Sequence, residues 1–130
     1  MKLLTDAQRD QLIKNGREQA DVKGTSTERD FQPVVKLFYP AGAATWLLTE
    51  IDPDEPDVAW GLCDLGMGFP EFGTVSLAEL ESFRGKAGLR IERDLYFKAK
   101  APISRYIEAS AEAGYIVEDP PPCPPSGAEG

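Results

Sequence analysis

Three groups of side chains in this sequence have the types and spacing to do chemistry. Glu92-Arg93-Asp94 sets two carboxylates around a guanidinium. Two neighbouring carboxylates can divide general acid and general base roles when their surroundings push their proton affinities apart. Residues two apart on a strand share a face, so Glu92 and Asp94 would point to one side. The plainer reading is an ion pair or cap that ties a strand to a nearby helix. The second group is the loop Asp52-Pro53-Asp54-Glu55-Pro56-Asp57, with Glu50 just ahead of it. Hard cations such as calcium take roughly six to eight oxygen ligands. This loop lacks the glycine and the terminal glutamate of an EF-hand, and its two prolines stiffen it. It reads as a solvated turn, and no metal is expected. The third group is Arg84, Lys86, Arg90, Arg93, Lys98, Lys100 and Arg105, interleaved with Phe83, Tyr96 and Phe97. Cations with aromatics form the pattern of a surface that tracks phosphates and stacks bases. The net charge of −8 opposes nonspecific binding to nucleic acid. The plainer reading is that these cations neutralise acidic neighbours within the molecule.

What is missing narrows the chemistry further. There is no histidine, so this chain alone cannot build a Ser-His-Asp or Cys-His site. The commonest zinc ligand is lost with it. The two cysteines, Cys63 and Cys123, are far apart in sequence and read as free thiols. No Gly-Lys-Ser/Thr occurs, and Gly61, Gly66 and Gly68 do not fit a phosphate loop. No cofactor is expected. The opening Met1-Lys2-Leu3-Leu4 runs into polar residues without a signal-peptide core. No window is apolar enough to span a bilayer. The expected location is cytoplasmic, with no membrane partner.

Local patterns indicate the elements that must position these groups. Thr5-Asp6-Ala7-Gln8 has the form of a capping box. Leu12 and Ile13 supply an apolar stripe, and Asn15-Gly16 is a natural stop. Residues 17–32 read as a long polar loop, part of it mobile or functional. Pro33 to Tyr39 is the first predicted strand, and Thr45 to Ile51 the second, joined by a short turn that implies an antiparallel hairpin. Val58 to Leu65 is the third, with Val58, Trp60 and Leu62 alternating against Ala59, Gly61 and Cys63. Trp46 and Trp60 are candidate cross-strand neighbours, as core aromatics rather than a stacking platform. Gly66-Met67-Gly68-Phe69-Pro70 is a flexible turn with apolar side chains, either a small contact site or a flap over the sheet edge. Phe72 to Val75 is a short fourth strand.

Ser76-Leu77-Ala78-Glu79 has the form of a second capping box, opening a helix that Gly85 ends. Leu89 to Ile91 is a short extended piece. Asp94 to Lys98 reads as a fifth strand with Leu95 and Phe97 inward. Pro102 starts a last helix to about Ala113, with Ile103, Tyr106 and Ile107 at helical spacing. The expected fold is α+β: a mostly antiparallel four- to five-stranded meander with about three helices on one face. Residues 1–118 make one domain. Residues 119–130, rich in proline, make an extended disordered tail that buries nothing.

Several of these segments, taken in order, are similar to one known family. They are Met1-Lys2-Leu3-Leu4-Thr5, Pro33-Val34-Val35-Lys36-Leu37-Phe38, Trp46-Leu47-Leu48-Thr49-Glu50, Trp60-Gly61-Leu62 and Gly73 to Glu81. The most specific is Gly88-Leu89-Arg90-Ile91-Glu92-Arg93-Asp94-Leu95-Tyr96-Phe97-Lys98. Together they resemble the bacterial domain of unknown function 2958 family over roughly residues 1–105. The resemblance implies a single-domain architecture and a setting on plasmids and integrative conjugative elements. It implies no activity, substrate or catalytic residue. Residues 106–130 look like an extension peculiar to this protein.

Charge layout supplies the functional expectation. From Leu37 to Phe83 there are nine carboxylates and no Lys or Arg. Such segregation governs which partners are attracted, not the fold. A carboxylate array of this kind can engage a basic, nucleic-acid-binding protein, with Glu50, Asp52, Asp54, Glu55 and Asp57 as the candidate contacts. Together with the setting implied by the family, this points to a small acidic accessory protein of a mobile element. The alternative is single-stranded nucleic-acid binding through residues 84–105.

Overall fold

The computed structural model describes residues 3–121. Its first helix, α1, spans Asp6–Val22. Thr5 caps it: Gln8 N donates to Thr5 Oγ1 and Thr5 N donates to Gln8 Oε1, both at 3.0 Å. The helix does not stop at Asn15-Gly16. Both residues are buried within it, because this is where α1 meets the sheet. Asn15 donates its side-chain amide to Thr49 O at 2.9 Å. The six residues expected to begin a loop continue the helix, so a glycine that signals an end in isolation serves here as a contact.

After α1 the chain runs to residue 34 without regular structure, but it is tied down at Arg29 and Asp30. Gln19 exchanges two 2.9 Å hydrogen bonds with the backbone of Arg29. Asp30 accepts from Ser104 N at 3.1 Å and from Ser104 Oγ at 2.5 Å, capping a helix some seventy residues later in the chain.

The strands are β1 (Val35–Phe38), β2 (Thr45–Ile51), β3 (Val58–Asp64), β4 (Glu71–Ser76) and the two-residue β5 (Glu92–Arg93). They form one antiparallel sheet in the order β4-β3-β2-β1-β5. The expected meander is present. The fifth strand is not at Asp94–Lys98: it is Glu92–Arg93, paired to Leu37 and Phe38 of β1, and the chain turns away at once. Leu95 is accordingly exposed, while Phe97 packs inward.

The helices lie on both faces of the sheet, not one. Trp46 and Leu48 of β2 join Val35, Leu37 and Leu12 in one core with α1. Leu47, the residue between them, joins Leu62, Ile103 and Tyr106 in a second core under α3 (Ile103–Ala113). Strands covered on both sides lose simple alternation, so β2 is buried from Trp46 through Ile51. Each fully buried leucine of this strand contributes roughly 1.5–3 kcal/mol. The register shifts between Leu48 and Glu50, leaving Thr49 as a bulge. Trp46 pairs with Cys63 and Trp60 with Glu50. The two tryptophans are therefore not neighbours. Trp60 stacks on Phe72 at 6.0 Å between centroids.

The short helix α2 (Leu77–Ser82) follows β4 directly, and Phe83 caps its end. Gly85 lies beyond it, where a β-carbon would stand 1.9 Å from the Tyr39 hydroxyl oxygen. α3 starts after Pro102 and ends at Gly114 in the left-handed region, φ 83°. Pro120 is buried, against the expectation that nothing from Asp119 onward buries. The rest of the expected tail, residues 122–130 with Cys123, lies outside the described residues.

Candidate functional site

The acidic loop 52–57 joins β2 to β3, and the structure gives its carboxylates separate tasks. Glu50 is only 6% exposed. Burial pushes its carboxyl up from the ordinary glutamate range, with Lys23 and Gln19 pulling the other way. It lines a small pocket of about 200 Å³ with Lys23, Asp52 and Trp60, and the Lys23 ammonium stands 4.0 Å over the Trp60 ring. Asp52 Oδ1 accepts from Asp54 N at 2.8 Å, closing a turn on itself. Asp57 sits at the start of α2. It accepts from Ser76 Oγ at 2.5 Å and from Ala78 N at 2.8 Å. These bonds hold its carboxyl below the usual range, the Ser76 hydroxyl contributing most. Ser76 Oγ in turn accepts from Glu79 N at 3.2 Å. Of the expected five, Glu50, Asp52 and Asp57 are thus engaged locally, and Asp54 and Glu55 are exposed at the tip.

What the tertiary structure adds is the neighbourhood of this loop. Leu77 N donates to Asp57 O at 2.9 Å, so α2 leans on the loop with Glu79 and Glu81 exposed beside it. Arg9 of α1 shares a cleft with Glu81 and Asp6, and its charge reaches Asp57. Glu79, Glu81 and Arg9 were not legible as part of one surface, since no sequence spacing links α1 to α2.

The segment 84–105 is divided rather than continuous. Arg84 Nη1 donates to the carbonyls of Glu81 and Phe83 at 3.1 and 2.9 Å, folding its side chain onto the end of α2. Arg93 Nη1 donates to Leu3 O at 3.1 Å. Lys100 pairs with Asp119, and Arg105 with Glu108. Lys86, Arg90 and Lys98 are exposed. Tyr96 is 88% exposed, the most open aromatic of the stretch.

Glu92-Arg93-Asp94 is a structural junction. Glu92 lies opposite Phe38 and is exposed. Asp94 donates its backbone N–H to Lys36 O at 3.0 Å. Its carboxylate accepts from Tyr96 N at 2.8 Å and pairs with Lys36 Nζ at 3.2 Å. The Tyr96 N–H, then Lys36, hold its carboxyl below the usual range against the opposing effect of burial. Burial likewise works against the Lys36 charge, but Glu118, at 2.9 Å, and Asp94 outweigh it and raise its pKa. One carboxylate is thus committed to a lysine and the other faces solvent, which is an anchor for a turn.

Two further groups complete the inventory. Asp64 is buried and accepts from Gly66 N at 2.8 Å and Ile116 N at 3.1 Å, joining the β3–β4 turn to the end of α3. Cys63 is a free thiol pushed up to about 11 by burial and by Glu71, which makes it a poor nucleophile. Among the described residues, no group of three or more His, Cys, Asp or Glu is placed to hold a metal. No described helix is long and apolar enough to cross a membrane.

These features define an α+β domain built on a five-stranded antiparallel sheet with helices on both faces, and with polar groups spent largely on caps and turns. The chain belongs to the family described as protein of unknown function (DUF2958), whose model matches residues 3–117. The match reaches past residue 105 through α3, so residues 106–117 belong to the family domain and are not an extension. No curated protein and no solved structure matches the chain.

Proposed function

We propose that this chain is a non-enzymatic, cytoplasmic binding protein, an accessory of a bacterial mobile genetic element, that docks a basic nucleic-acid-binding protein on its acidic end. The observation that carries this reading is the meeting of loop 52–57 with α2, which sets exposed Asp54 and Glu55 on one element and exposed Glu79 and Glu81 on the element that leans on it, with Arg9 in a cleft beside Glu81 and Lys23 in a pocket beside Asp54. Carboxylates fixed on a proline-stiffened loop and a capped helix are preorganised, so less side-chain entropy is lost on pairing. A field of one sign also speeds encounter with a basic surface. The setting implied by the family resemblance supports the same reading.

The test uses a basic DNA-binding protein encoded beside this chain, bound to labelled duplex. Wild-type protein is expected to release the duplex, less effectively as salt rises. Replacing Asp54, Glu55, Glu79 and Glu81 by their amides should weaken that release roughly tenfold or more. Unchanged release by the amide variant, or no release by the wild type, would sink the proposal.

A second reading, direct binding of single-stranded nucleic acid through residues 84–105, is favoured by one observation. Tyr96 is open to solvent, with the exposed Lys98 two residues on, an arrangement suited to stacking a base next to a phosphate contact. Fluorescence anisotropy with labelled oligonucleotides at two salt concentrations tests it. Tyr96→Ala and Lys98→Ala should each reduce the signal, and a signal indifferent to salt or to both variants removes the reading.

A further inference from the structure

One side of the sheet is open in a way the acidic end does not explain. β4 is the last strand of the sheet. β3 pairs with it from Glu71 to Ser76 in an unbroken register, and no described strand pairs with its other side. Open edges present free N–H and C=O groups, and proteins usually guard them with lysine, proline, a bulge or a covering segment. Within Glu71–Ser76 there is no lysine, proline or bulge. The opposite edge, β5, is only two residues long.

The turn that leads into β4 is unusually apolar for its exposure. Leu65 is 62% exposed, Met67 74%, Phe69 79% and Phe72 40%. With Glu71 and Thr74 of β4 and Cys63 of β3, these side chains line an open groove of about 400 Å³. The turn is held by Asp64, which accepts from Gly66 N at 2.8 Å.

Charge selects the occupant. The edge and its groove lie wholly within the stretch that has no Lys or Arg, and Glu71 is the only charge on β4. A second copy would bring another chain of net charge −8 to this edge, with no cation from that stretch to meet Glu71. An extended segment with large apolar side chains and a lysine or arginine satisfies all three features. Its main chain bonds to β4, an apolar side chain fills the groove, and its cation meets Glu71. We propose that β4 and the Leu65–Phe72 groove dock an extended, basic and apolar segment of the partner protein, added as a sixth strand. This rests on the reading above that the partner is basic: the acidic end steers it, and the edge holds it.

The probe is an eight-residue peptide alternating lysine with valine, set against its fully N-methylated counterpart, which keeps the side chains and charges but cannot donate main-chain hydrogen bonds. Amide chemical shifts and hydrogen exchange are followed in the whole chain. The expected result is shift changes and slowed exchange in Glu71–Ser76 with the first peptide, and binding weakened roughly tenfold or more with the second. Phe69→Asp and Met67→Ser, both on exposed side chains, should each weaken the first peptide, with the thermal midpoint confirming the fold. Equal binding of both peptides, with shifts confined to residues 52–57, would overturn the edge proposal and leave the acidic-end reading standing. Absence of binding by either peptide at low salt would overturn both. A concentration-dependent doubling of mass that Phe69→Asp abolishes would place a second copy on the edge and overturn the proposal.

Discussion

Gly16 of α1 lies directly against the main-chain oxygen of Ile51: a β-carbon at position 16 would stand 1.7 Å from it. One residue earlier, Asn15 reaches the Thr49 carbonyl across the bulge in β2. A buried carbonyl at a bulge loses its ladder partner, and a buried unpaired carbonyl is costly. The helix supplies the missing donor, and it can come that close only where it has no side chain.

Gly16→Ala is therefore expected to destabilise the protein by about 3 kcal/mol, since backbone on both sides must move to admit the methyl group. Asn15→Ala should cost about 2 kcal/mol by leaving Thr49 O without its donor. Gly73→Ala is the control: nothing lies within 4 Å of its β-carbon position, and the change should stay within about 0.5 kcal/mol. Urea unfolding of the three variants checks all three values.

Asp57 links the acidic loop to α2, and its effect on pH dependence has a definite sign. Its folded pKa is depressed below the ordinary 3.8, so the folded chain gives up that proton more readily than the unfolded one. The contribution is present above the unfolded value and is lost as pH falls through the depressed folded value. Asp94 acts in the same direction. Asp57→Asn should flatten the fall in thermal midpoint below pH 3.8 and speed hydrogen exchange at Ala78. A midpoint curve identical to wild type would contradict this role.

Glu50 has the opposite sign. Burial raises its folded pKa above the ordinary 4.5, so the folded chain holds the proton to higher pH than the unfolded chain does. Stability from this group is full below the unfolded value and declines as pH rises through the folded one. Glu50→Gln should therefore raise the urea midpoint at neutral pH, with a smaller gain below pH 4.5. A loss at neutral pH would show that the Lys23 and Gln19 contacts outweigh the cost of burial.

Lys36 holds Asp94 and Glu118 on one ammonium, with a side chain only 13% exposed. Lys36→Met should cost about 2 kcal/mol, because it leaves the half-buried Asp94 carboxylate without its cation. Asp94→Asn should cost less, since the amide oxygen still accepts from Tyr96 N. Chemical denaturation separates the two. A larger loss for Asp94→Asn would mean that the turn, rather than the ion pair, is the main contribution of this junction.

Local signals in the sequence were enough to determine the elements whose causes are local. The Thr5–Gln8 capping box, the turn at Pro40–Ala43 and the helix after Pro102 each depend on residues within a few positions of one another, and each is present. The antiparallel meander follows from the same short connections. Tertiary structure decided the rest, because the deciding partner is distant in sequence. Gly16 stays helical since Ile51 O needs the space. Leu47 is buried as deeply as Trp46 and Leu48 because α3 covers the face that α1 does not. The fifth strand falls at Glu92–Arg93, where β1 offers only Leu37 and Phe38 as partners. The candidate surfaces follow the same rule. The acidic loop was legible as a run of carboxylates, while its union with α2, and the open edge of β4 beside an apolar turn, exist only because strand order places them there.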